Sequence, residues 1–65
     1  MEKQVIKINA IREHYGIEDV DSTMTVGELI ECLKQYDEDA KVVLSFDNGY
    51  TYGGIREHMM DEDYI

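Results

Sequence analysis

Cysteine is nearly absent from this sequence, and basic residues are scarce. Cys32 stands alone among 65 residues, so no internal disulfide can staple the chain, and one thiol with two histidines falls short of a tetrahedral structural zinc site. A reducing cytosol is the expected compartment. No apolar run reaches the length of a signal core or a membrane span, since MEKQVIKINA is broken by Glu2, Lys3 and Lys7. The expectation is a cytoplasmic chain without membrane contact. A sequence this short buries only about 60% of the surface its unfolded form exposes, which suits one small domain over residues 1–65 and leaves no room for a deep substrate pocket.

Six bases face fifteen acids, giving a formal charge of −9. Residues 1–12 hold Lys3, Lys7 and Arg12 against Glu2, or +2, while the rest holds fourteen acids and three bases, or −11. An acidic body repels nucleic acid and anionic membrane, because both require cationic side chains to displace counterions or meet head groups. Direct nucleic-acid binding is therefore disfavoured. A basic protein partner suits this field, which would also keep a small protein soluble without any partner.

The usual signatures of catalysis and cofactor binding are missing as well. There is no phosphate-binding G-x-x-x-x-G-K-[ST] run, and Gly53-Gly54 lacks the third glycine and the strand-to-helix setting of a dinucleotide site. His14 and His58, the only general-base candidates, sit among charged residues, and neither Ser22 nor Ser45 has a histidine placed by a recognisable motif. Asp19, Asp21 and Thr23 alternate as calcium ligands do, yet Met24 stands where a calcium loop needs glycine and Ile30 where it needs glutamate. No catalytic residue, metal ligand or cofactor is expected.

What the chain does contain is a clear helix start. In MTVGELIECLKQY, Thr25 followed by Glu28 forms a capping box, and Met24 and Leu29 are placed as a hydrophobic staple. Val26, Leu29, Ile30, Leu33 and Tyr36 recur on one face at helical spacing, with Glu28, Glu31, Lys34 and Gln35 on the other, so the helix should cover an apolar surface. Cys32 lies at the edge of that face as a small packing residue. Earlier in the chain, residues 3–8 read as a strand, needed because a two-stranded hairpin under one helix is marginal in water. NAIREHYGI looks like a short helix closed by Gly16 in the left-handed conformation. IREH occurs at 11–14 and again at 55–58, but the surroundings differ and no larger repeat accompanies it.

After the helix, Val42, Leu44 and Phe46 alternate with Val43, Ser45 and Asp47 as a half-buried strand, and Asn48-Gly49 then signals a hairpin. A two-residue loop pairs Phe46 with Thr51, Ser45 with Tyr52 and Leu44 with Gly53, which sends Tyr50 and Tyr52 to the face away from the helix. A three-residue loop with a bulge at Gly49 would turn both tyrosines inward. On the first register Val43, Ser45, Tyr50 and Tyr52 form an open aromatic face, a candidate protein-contact patch. Cross-strand packing of Tyr52 over Val43 explains the same residues without a partner. The fold class that follows is α+β, one main helix packed on a small antiparallel sheet in the order β-α-β-β, with a possible extra short N-terminal helix.

The segment TVGELIECLKQYDEDAKVVLSFDNGYTYGGI, about half the chain, resembles a widespread set of small uncharacterised proteins of Firmicutes and their phages. Thr25, Leu29, Leu33, Asp39, Ala40, Val42, Asp47, Gly49, Tyr52 and Gly53 carry the likeness. It implies a helix on a small antiparallel sheet and a phage or mobile-element origin, and it brings no catalytic residues. Two functions are compatible with these observations. One is a non-catalytic protein-interaction module, with a homodimer as one form. The other is an acidic mimic of nucleic acid that blocks a host nuclease or DNA-binding protein, with Asp37, Glu38, Asp39 and Asp61, Glu62, Asp63 as its carboxylate clusters.

Overall fold

Thr25 starts the helix as its side chain suggests. In the computed structural model, which describes residues 3–64, the Glu28 N–H donates to Thr25 Oγ1 at 3.2 Å and the Thr25 N–H donates to Glu28 Oε1 at 2.9 Å. These reciprocal bonds satisfy two of the free donors at the helix start. Helix α1 spans Val26–Leu33 and ends with Lys34, whose N–H still reaches the Ile30 carbonyl. It stops about a turn short of the expected Tyr36.

Three strands accompany it in the chain order β1 (Val5–Asn9), α1, β2 (Lys41–Phe46) and β3 (Thr51–Gly54). The sheet order is β1-β2-β3. The sheet is mixed, and this corrects the antiparallel expectation: β1 runs parallel to β2, with Ile6 beside Val42 and Ile8 beside Leu44, while β2 and β3 are antiparallel. The reason is topological. Residues 10–40, which include α1, join the ends of β1 and β2 as a crossover long enough to return the chain in the same direction.

Residues 9–15 form no helix. The Ala10 N–H donates to the Ser45 carbonyl at 2.8 Å and so extends the sheet pairing, and an isolated helix of so few residues is not stable by itself. Gly16 has φ −107°, an extended conformation, and precedes a single 3-10 turn at Ile17–Asp19 instead of closing a helix. Gln4, just before β1, ties the start of that strand to the late part of the crossover, its side-chain carbonyl accepting from the Asp37 N–H at 2.9 Å.

The hairpin keeps the register of the two-residue loop but makes it with a wider bend. Phe46 faces Thr51, Ser45 faces Tyr52 and Leu44 faces Gly53, as the alternation of the strand requires. Asp47, Asn48 and Gly49 all take positive φ, at 50°, 58° and 89°, and Tyr50 returns to helical angles. Asp and Asn tolerate the left-handed region better than most residues, and Gly49 adopts it without a side-chain penalty. The loop is therefore residues 47–50, and Tyr50 leaves the ladder.

Packing is thin throughout. Among the described residues no hydrophobic side chain is buried, and Ser45, 3% exposed, is the only residue fully enclosed. The C-terminal end of α1 comes nearest the sheet, where Leu33 and, just past the helix, Tyr36 join Ile6, Ala40 and Val42 around a cleft of about 210 Å³. The apolar surface that the helix was expected to cover is thus covered at one end alone. Gly53 does not admit the helix to the sheet; a Cβ there would stand 3.3 Å from Phe46 Cε2, so the neighbouring strand's aromatic ring occupies the space.

Candidate functional site

Two faces of the sheet compete for a functional role. Strand alternation puts Ile6, Ile8, Val42, Leu44, Phe46 and Gly53 on the side of α1, and Lys7, Val43, Ser45, Tyr52 and Gly54 on the other. The four residues expected to form a contact patch are distributed unequally. Val43 is half-buried, Ser45 is enclosed, Tyr52 is 55% exposed, and Tyr50 projects from the loop at 84%.

Tyr52 and Ser45 lie opposite each other in register and both reach beneath the loop. A Cβ added to Gly49 would stand 3.2 Å from Tyr52 Oη and 3.9 Å from Ser45 Oγ. The phenol thus packs along the hairpin and helps seal Ser45, which is the behaviour of a cross-strand pair. Nearby, the Arg56 guanidinium folds back over Gly54, about 3.2 Å from where a Cβ would be. This face is closed by its own side chains at Ser45 and Gly54, while Tyr50 and, in part, Tyr52 remain exposed.

The helix presents the opposite situation. Val26 is 78% exposed, Ile30 50% and Leu29 42%, and Met24 before the cap is exposed too. At 3.6 residues per turn these side chains form one stripe, with Glu28 and Glu31 on the far side. The sequence reading placed this stripe in the core. Next to a sheet of three strands, four to six residues each, Leu33 and Tyr36 are half-buried, while Val26, Leu29 and Ile30 stay exposed among the described residues.

Electrostatically the chain is open. Among the described residues a single ion pair forms, Lys34 Nζ to Glu31 Oε1 at 3.0 Å, and both ends are solvent-exposed. Such a pair contributes little. The Glu28 carboxyl is held below its ordinary range by the hydrogen bond from the Thr25 N–H and next by the bond with the Thr25 side chain. Its shift belongs to the helix cap.

His14 and His58 are exposed and lie on different segments, and among the described residues no three His, Cys, Asp or Glu side chains come together as a metal site. The Cys32 thiol is half-buried, and Gln35 Nε2 donates to the Cys32 carbonyl at 2.9 Å. A hollow of about 550 Å³ opens widely to solvent between Ala10, Ile11, Arg12, Phe46 and residues 47, 48 and 51. Water has free access to it, unlike the enclosed pockets in which small ligands are buried. No helix among the described residues is long and apolar enough to cross a membrane. No protein-family model matches the sequence, and no curated protein or solved structure matches it either.

Proposed function

We propose that this chain is a non-catalytic protein-interaction module whose fold is completed by association. One observation carries the reading. The chain exposes 6721 Å² of surface, where a compact monomer of 7.6 kDa exposes about 4,300 Å². The excess is about 2,400 Å², and sixteen large hydrophobic side chains stand exposed among the described residues. Its radius of gyration, 13.6 Å, likewise exceeds the roughly 11 Å of a compact domain of this length.

A chain that covers so little of itself has little hydrophobic stabilisation to set against the entropy of ordering its backbone. Association supplies the missing burial. A phage or mobile-element setting, as the resemblance implies, belongs to the same proposal. The test is a dye that fluoresces on apolar surface, added to the protein diluted until it is dissociated. Strong dye binding with a broad, weakly cooperative thermal transition supports an incomplete fold. A sharp transition without dye binding contradicts it.

A second reading has its own support. The residues of both acid clusters, Asp37, Glu38, Asp39, Asp61, Glu62 and Asp63, are all exposed. Carboxylates free in solvent can present a phosphate-like field to a nuclease or DNA-binding protein. Complexes of that kind weaken steeply with salt and are displaced by DNA. Binding insensitive to salt would exclude mimicry.

A further inference from the structure

We infer that Asn48 is a site of self-modification, converted through a cyclic imide into aspartate and isoaspartate when the β2–β3 hairpin opens, and withheld from that reaction while the hairpin is closed. The inference is independent of how the chain associates.

The sequence supplies the reactants. Asn48 precedes Gly49, and the missing side chain leaves the Gly49 backbone nitrogen unshielded for attack on the neighbouring carboxamide. That nitrogen loses its proton to solvent base and bonds to Asn48 Cγ; the Cγ–Nδ2 bond breaks, and the side-chain nitrogen leaves as ammonia. Water then opens the five-membered imide at one of its two carbonyls. Opening at Cγ leaves an ordinary aspartate. Opening at the main-chain carbonyl leaves isoaspartate, whose backbone runs through the side chain and is longer by one carbon. Water is the only co-reactant, and nothing is oxidised or reduced.

The fold supplies the control. Asn48 is exposed and sits at φ 58° and ψ 35°. At that ψ the Gly49 nitrogen lies almost opposite Cβ across the Asn48 Cα–C bond, whereas ring closure needs the two eclipsed, a rotation of roughly 150°. The closed loop opposes such a rotation. The Tyr50 N–H donates to the Phe46 carbonyl at 3.0 Å and to the Asp47 carbonyl at 3.2 Å, and turning the Asn48–Gly49 peptide swings Tyr50 away from both. Tyr52 Oη and Ser45 Oγ close the underside of Gly49. Opening is nonetheless within reach, because no hydrophobic side chain among the described residues is buried to hold the hairpin shut.

Asn9, the other asparagine, is an internal control. It is followed by Ala10, whose Cβ shields the nitrogen and whose N–H is held by the Ser45 carbonyl at 2.8 Å. The two products at position 48 also differ in consequence. Aspartate tolerates the left-handed region as asparagine does and can re-form the loop. Isoaspartate lengthens the link between Phe46 and Thr51, which face each other in register, and so keeps the hairpin open.

Incubation of the full chain at mildly alkaline pH, folded and in urea, followed by peptide mapping with mass spectrometry, tests this. The expected result is a gain of about 1 Da at Asn48 and not at Asn9, at least about fivefold slower in the folded chain than in urea. Tyr52→Ala, which loosens the hairpin, should raise the folded rate about fivefold and no further than the urea value. The isoaspartyl chain, once separated, should lose amide protection across β3, whereas Asn48→Asp should keep it. Equal rates in the folded chain and in urea overturn control by the hairpin, as does a Tyr52→Ala rate equal to that of the wild type. Absence of conversion at Asn48 in urea, or conversion of Asn9 there at the same rate, removes the site itself.

Discussion

At the scale of single residues, the best-defined chemistry lies in the reciprocal bonds of Thr25 and Glu28. Thr25→Ala removes the acceptor for the Glu28 N–H and is expected to destabilise the helix by about 1 kcal/mol, read as a lowered denaturation midpoint. The pH dependence follows from the direction of the Glu28 shift. Its folded-state value is depressed, so its stabilisation is complete above the unfolded carboxyl's range and is lost as pH falls through the lower folded value. Helical circular dichroism of the wild type should therefore decline in acid, and Glu28→Gln should remove this part of the decline. Unchanged acid sensitivity in Glu28→Gln would place it elsewhere. The cap was legible in the sequence because it depends on residues three apart. The burial of Ser45 was not, because it depends on how far the Tyr52 ring reaches along the hairpin.

At the scale of elements, the hairpin register was readable and the turn was not. Alternation of Val42, Leu44 and Phe46 and the Asn-Gly pair determine which residues face each other. Whether the bend takes two residues or four depends on Asp47 and Tyr50 leaving the ladder, a local balance without a sequence signature. The direction of β1 was missed for a different reason. A strand read alone has no polarity relative to its neighbour, and only the length of the crossover favours the parallel arrangement. The tyrosines provide the test at this scale. Tyr52→Ala, which uncovers Ser45 and breaks the cross-strand pair, is expected to destabilise the chain by about 1 kcal/mol. Tyr50→Ala, on the open loop, should change stability by less than about 0.5 kcal/mol. Chemical denaturation of the two variants distinguishes them, and equal losses would contradict the packing of Tyr52. A Tyr50 variant of normal stability that loses partner binding would show the loop tip at work as a contact.

At the scale of the whole molecule, amphipathic spacing on α1 revealed an apolar face, and nothing in that spacing says whether the surface opposite belongs to the same chain. Val26 and Leu33 lie on one stripe in the sequence, yet Leu33 is half-buried against the sheet and Val26 stands in water. The chain length was the available signal, because so short a sequence has little surface with which to cover both ends of a helix. The Gln4 bond to the Asp37 N–H keeps the covered end in place. Gln4→Ala is expected to destabilise the chain by roughly 0.5–1.5 kcal/mol without altering how strongly the protein associates, since it lies at the covered end of α1. Paired measurements of melting and sedimentation would check this separation, and a parallel loss of association would refute it.

Amide hydrogen exchange across Leu29–Leu33, followed as the protein is diluted, addresses the completion of the fold by association most directly. Protection that falls with dilution and is restored at high concentration is the result expected of a fold completed in this way. Protection that is strong and independent of concentration would mean that α1 is secured within its own chain, and the exposed stripe would then need no partner.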